Sequence, residues 1–119
     1  MTTTNDTGFL TLPAVQALAE GQRVKITASG WDLCGIAEAS AGVATHAVAA
    51  GGMLTAKLWS APGSWIVKAS AAIAAGARLY PANGGLFAAT GTTPFNLVAK
   101  DAATAANDLI EALPCQVGA

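Results

Sequence analysis

One histidine, two cysteines and seven carboxylates are the obvious acid–base, nucleophilic and metal-binding groups in this sequence. A Ser–His–acid arrangement would have to use His46. It lies in Val43-Ala44-Thr45-His46-Ala47-Val48, and no Gly-x-Ser-x-Gly elbow accompanies it. His46 therefore reads as an exposed or hydrogen-bonded strand residue. General acid–base work needs carboxylates or imidazoles in pairs with displaced pKa values. Asp101 and Asp108 flank an alanine-rich turn, with Asp101 placed to cap it. Asp6, Glu20, Asp32, Glu38 and Glu111 have no evident partner in the sequence. Cys34 and Cys115 form no CxxC pair, and one histidine supplies no metal-site spacing. They read as two small apolar residues, with a disulfide as the alternative. Gly51-Gly52 and Gly84-Gly85 are not followed by Lys-Ser or Lys-Thr, so neither is a phosphate loop. The expectation is a protein that is not an enzyme and uses no metal or other cofactor.

The composition narrows the partners. The chain has 119 residues, enough for one domain with a thin core. Hydrophobic residues make up 53% and charged residues 11%, which is the opposite of the disordered pattern. Six cations are scattered from Arg23 to Lys100 and the net charge is −1. A nucleic-acid partner needs clustered Lys and Arg, so none is expected. The most apolar stretch, Ala69 to Leu79, is interrupted by Ser70, Gly76 and Arg78, so no membrane-spanning helix is expected. No positive charge precedes an apolar run at the start, which points to synthesis in a cytosol.

About a quarter of the residues are alanine, which favours helix, but the periodicity favours strands. In Gln22 to Ala28, Val24, Ile26 and Ala28 share one face while Arg23, Lys25 and Thr27 share the other. Leu54, Ala56 and Leu58 alternate with Thr55, Lys57 and Trp59 in the same way. Ser64–Ala69 is rich in strand formers, and Pro62-Gly63 ahead of it marks a turn. Arg78–Pro81 and Leu86–Thr90 flank Ala82-Asn83-Gly84-Gly85, a hairpin loop. Phe95–Lys100 and Asp108–Leu113 complete the set. The predicted fold is all-β, a small barrel or sandwich of about eight short strands. Short helical turns are expected at Ser70–Ala75 and Ala102–Ala106. Residues 1–21 read as an extended N-terminal arm, and 22–119 as the barrel domain. A faint echo links Gly35–Gly42 with Leu97–Thr104.

With so few large side chains, aromatic positions carry information. Each can bury about 150–250 Å². Trp59 alternates onto a polar face, Trp31 follows a turn, and Trp59 and Trp65 bracket the Pro-Gly turn. Trp31, Trp59 and Trp65 are therefore candidates for contact with another chain. Phe9, Leu10 and Leu12 form a strand-competent run in the arm. It either pairs within its own body or adds to a neighbouring sheet.

Three segments in order resemble the small head-decoration, or capsid cement, proteins of tailed bacteriophages. They are Gly35-Ile36-Ala37-Glu38-Ala39, Ala72-Ile73-Ala74-Ala75-Gly76-Ala77-Arg78-Leu79-Tyr80 before a Gly-rich hairpin, and Leu97-Val98-Ala99-Lys100-Asp101-Ala102-Ala103 before a final strand. The resemblance spans about Gln22 to Leu113. It implies a β-barrel on the outer surface of an assembled capsid, where it cements neighbouring copies of the major capsid protein against internal pressure. It also implies a homotrimer, an N-terminal arm that reaches capsid subunits, and a place in the virion after synthesis in the host cytoplasm. Another virion part, such as a tail-tube or head-completion protein, and a small ligand-binding barrel are the alternatives.

Overall fold

A computed structural model describes residues 7–115. It is almost entirely β, with ten short strands. They are β1 Phe9–Pro13, β2 Arg23–Thr27, β3 Gly30–Leu33, β4 Gly42–Ala44, β5 Met53–Leu58, β6 Trp65–Lys68, β7 Tyr80–Pro81, β8 Phe87–Ala88, β9 Leu97–Ala99 and β10 Leu109–Pro114. The sheets run β1-β5-β4-β2-β3, β6-β10-β9 and β7-β8. The alternating pleat of β5 is as read from the sequence, with Leu54 and Ala56 buried.

The chain folds as two copies of one pattern, offset by 55 or 56 residues. Arg23 pairs with Val43, and Arg78 bridges to Val98. Ala44 pairs with Ala56, and Ala99 with Ala112. Pro13 pairs with Met53, and Lys68 with Leu109. Ile26 faces Trp31 across one hairpin, and Pro81 faces Phe87 across the other. Parallel bridges Ala14–Trp31 and Ala69–Phe87 then bring each hairpin back to its first strand. Each half, 9–59 and 65–115, is thus a strand circuit curled nearly closed. Trp31 and Leu54 fill the first; Phe87 and Leu79 fill the second.

Four alanine-rich corners tie these circuits together. Each starts on a buried alanine: Ala14, Ala44, Ala69 and Ala99. Each has a second alanine three residues on (17, 47, 72, 102), then Leu18, Val48, Ile73 or Ala103. The corners clasp in pairs. Leu18 and Val48 exchange both backbone bonds at 2.9 Å, and Ile73 and Ala103 do so at 2.9 and 2.8 Å. Small residues let the crossing backbones approach this closely. This clasp, and not helix, is where much of the alanine goes. The helical turns expected at Ser70–Ala75 and Ala102–Ala106 are corners of this type. A lone turn is a costly helix nucleus, and here long-range partners take the same N–H and C=O groups.

Every corner ends in a tight turn whose third residue has positive φ: Gly21 (87°), Gly51 (83°), Gly76 (86°) and Asn107 (72°). That position favours glycine or asparagine. The fourth corner carries one extra residue, and its Asn107 stands where the others have glycine. Asn107→Ala is therefore expected to cost about 1 kcal/mol in denaturant unfolding, whereas Asn107→Gly stays within about 0.5 kcal/mol of the parent.

Asp108 closes that fourth corner. Its carboxylate accepts from the Thr104 and Ala105 N–H groups at 2.9 and 3.2 Å, and from Thr104 Oγ1 at 3.0 Å. These bonds, led by the Thr104 N–H, hold its pKa below the ordinary value of 3.8. A carboxyl lowered in the folded state contributes stability that is complete above its unfolded pKa. The contribution is lost as pH falls through the lowered value. Melting temperature should thus hold steady down to about pH 4.5 and drop below about pH 4, with a shallower drop in Asp108→Ala.

Several sequence expectations change. Residues 7–21 belong to the body: β1 pairs antiparallel with β5, from Phe9–Lys57 to Pro13–Met53. Among the described residues, 7–21 do not form a separate arm; residues 1–6 lie outside the described residues, as do 116–119. Ile26 is 54% exposed, on the face expected to be buried, while Arg23, expected outside, is 0% exposed. The internal echo lies one strand later than expected, at Gly42–Ala44 against Leu97–Ala99.

Candidate interaction surface

The aromatic residues gather where the two halves meet. Trp59 leaves β5 and packs on Trp65, Phe87 and Phe95, with ring centroids at 5.7, 6.4 and 5.3 Å. Its indole N–H donates to Ser40 Oγ at 3.0 Å. The Trp65 N–H donates to Leu58 O, which pins the second half onto the end of β5. Tilted and edge-on ring pairs of this kind add about 0.5–1.5 kcal/mol each beyond burial.

Arg23 crosses the same junction. Its Nη2 donates to Ala82 O at 2.6 Å, its Nε to Leu86 O at 3.3 Å and its Nη1 to Gly35 O at 3.3 Å. The guanidinium lies 5.6 Å from the Phe87 ring centre and 5.9 Å from that of Phe95. Burial pulls its pKa below the ordinary value, and the neighbouring Cys34 pulls the other way. No carboxylate is among its bonded partners, so backbone carbonyls and aromatic faces hold the charge.

The six candidate contact residues have different fates. Trp31 is 0% exposed inside the first circuit, its N–H bonded to Leu10 O, and Trp65 is 4% exposed. Trp31 presents no surface in the folded chain, and Trp65 only as part of a groove lining. A turn position and a period-two face carry no information about what folds over them, and here the chain's own strands do. Trp59 is half-buried in the junction. Leu10 and Leu12 are half-buried against the first core, and only Phe9 is exposed.

One apolar groove of about 340 Å³ opens beside this cluster, lined by Trp59, Trp65, Phe95, Leu97, Pro114 and Cys115 among others. Two further hollows, of about 480 and 500 Å³, run along Ile36, Ala37, Pro81 and Thr93. Cys34 is buried, Cys115 is half-buried, and both thiols are free. Burial pushes the Cys34 thiol's pKa up.

Some titratable groups serve the backbone, and others pair with side chains, as Lys100 does with Glu111 at 2.9 Å. His46 Nε2 accepts the Thr55 N–H at 3.2 Å. At the same place in the second half, Asp101 accepts the Glu111 N–H at 3.4 Å. His46 and Asp101 are thus equivalent corner caps, and Asp101 does not cap a helix. Glu38 is held below the usual carboxylate range by Lys25, then by the Gly35 N–H. Among the described residues, no three His, Cys, Asp or Glu side chains gather where a metal ion could sit.

The fold is that of a known phage component. The chain superposes on the N base of head fiber gp8.5 from bacteriophage phi29 with a TM-score of 0.66. The match covers 89% of this chain and 92% of that one, at 16% identity. No protein-family model matches the sequence, and no curated protein matches it.

Proposed function

We propose that this chain is a structural protein of a tailed-phage particle, without catalytic turnover. It seats on the outer surface of the assembled head as a homotrimer and cements neighbouring major capsid subunits against internal pressure. The observation that carries this reading is the fold likeness, over nearly all of both chains, to a head fiber base. The sequence resemblance to head-decoration proteins supports the same class. Many modest contacts, each burying about 800 Å² per partner, suit such a role.

The test mixes purified chain with assembled shells of the cognate major capsid protein and with its unassembled capsomers. Saturable binding to shells, weak binding to capsomers, and raised shell resistance to heat or low salt are expected. Shells that bind no chain overturn the reading. Binding without added resistance leaves a head fiber or ornament and overturns cementing.

A further inference from the structure

The two halves meet through unlike faces. The first half is buried on the second through Gly21, Arg23, Val43 and Trp59. Gly21 O accepts the Lys68 N–H at 3.0 Å, and a Cβ on Gly21 would stand 2.8 Å from Leu109 Cδ2. Arg23 reaches Ala82 and Leu86. Val43 belongs to the second half's core, and Trp59 to its ring cluster. The pattern of pairing places Gly76, Arg78, Val98 and Cys115 at the same four positions in the second half. Among the described residues, nothing beyond its chain neighbours lies within 4 Å of where a Cβ on Gly76 would stand. Arg78, Val98 and Cys115 are all partly exposed, and the apolar groove opens beside Cys115.

Equivalent residues are not buried reciprocally, so the internal contact is heterologous, a front on a back. Its front is repeated, open, on the second half. Its back is repeated in part. Lys68 and Leu109 receive Gly21, and their counterparts in the first half are Pro13 and Met53; proline has no N–H to donate, so this back offers apolar contact without the Gly21–Lys68 bond. Pro13 and Met53 are both exposed, Met53 at 56%. Among the described residues, one chain therefore carries an unused front at one end and an unused, mainly apolar back at the other.

We propose that a second copy of this chain docks head to tail, its Pro13–Met53 corner on the Gly76–Arg78–Val98 face of the first. The occupant follows from continuity with the contact already made inside the chain. A heterologous contact closes into a ring or runs on as a filament. The homotrimer proposed above is the closed case. The inference gives that trimer its interface and does not depend on capsid binding.

The test uses the full chain without shells. Sedimentation equilibrium over a range of concentrations should show wild type rising above monomer mass. Met53→Arg and Val98→Arg each block one face and should each weaken association at least 100-fold, with wild-type circular dichroism. Arg78→Glu replaces Val98→Arg if that variant does not fold. An equimolar mixture of the two blocked variants retains one intact contact, and should give a dimer and nothing larger. A wild-type chain that stays monomeric overturns the proposal. So do variants that associate like wild type, or a mixture that yields no dimer. Self-association without shell binding would retain this inference and remove the capsid reading.

Discussion

Replacing Arg23 by methionine should lower the unfolding free energy by about 3 kcal/mol, and the melting temperature by about 10 °C. The loss comes from three carbonyls, on Gly35, Ala82 and Leu86, that now share one guanidinium. A buried carbonyl left without a donor costs about 1–3 kcal/mol. Removing a desolvated charge returns part of that, which is why the net is well below the sum. Lysine should do no better, since one ammonium cannot span three acceptors set by a planar fork. Arg78 is the control. It occupies the same place in the second half, but it is partly exposed and bonds only Phe95 O and the Asn96 side chain. Arg78→Met should cost under about 1 kcal/mol. Denaturant unfolding of the pair checks this. Equal losses, or a neutral Arg23→Met, would mean that Arg23 does not hold the halves together.

That contrast shows where sequence reading stops. The pleat of β5 was legible because hydrophobic residues there alternate and one face meets its own core, and β6 because Trp65, Ile66 and Val67 are strand formers. The turn at Pro62-Gly63 and the loop at Asn83-Gly84-Gly85 were legible because proline fixes φ and glycine admits the positive φ such turns need. The 3-10 turn over Asn83–Gly85 lies in that loop. Arg23 was misplaced because alternation reports faces of one strand, and a second half covers the face that would otherwise be wet. Two of the four corners, Ser70–Ala75 and Ala102–Ala106, look helical in the sequence because alanine propensity is local, while the bonds that decide them join Ile73 to Ala103, 30 residues apart, as Leu18 joins Val48. A signal was present. Four segments repeat Ala-x-x-Ala, and three of them end in glycine seven residues after the first alanine. In a chain so rich in alanine the repeat has little contrast, and the extra residue before Asn107 breaks its spacing. The contact residues were hardest, because an exposed tryptophan and a core tryptophan sit equally well beside a turn.

The two readings of Trp31 make opposite forecasts. If it were a contact residue, Trp31→Ala would fold and fail only to bind. The structure expects the reverse. Trp31 is wholly buried, its N–H is bonded to Leu10 O, and its backbone bridges Ala14 to close the first circuit. Truncating such a side chain costs about 3–5 kcal/mol, a large share of the roughly 5–15 kcal/mol that holds a domain of this size. Trp31→Ala should therefore be largely unfolded or melt at least about 10 °C lower by circular dichroism. Phe87→Ala should do the same to the second circuit, because Phe87 stands at the same position and is equally buried. Trp59→Ala, half-buried in the junction, should cost about 1–2 kcal/mol and leave a folded chain. A Trp31→Ala protein with a wild-type melting curve would mean the indole is not the plug of its circuit. The pairing that equates it with Phe87 would then lose its energetic meaning.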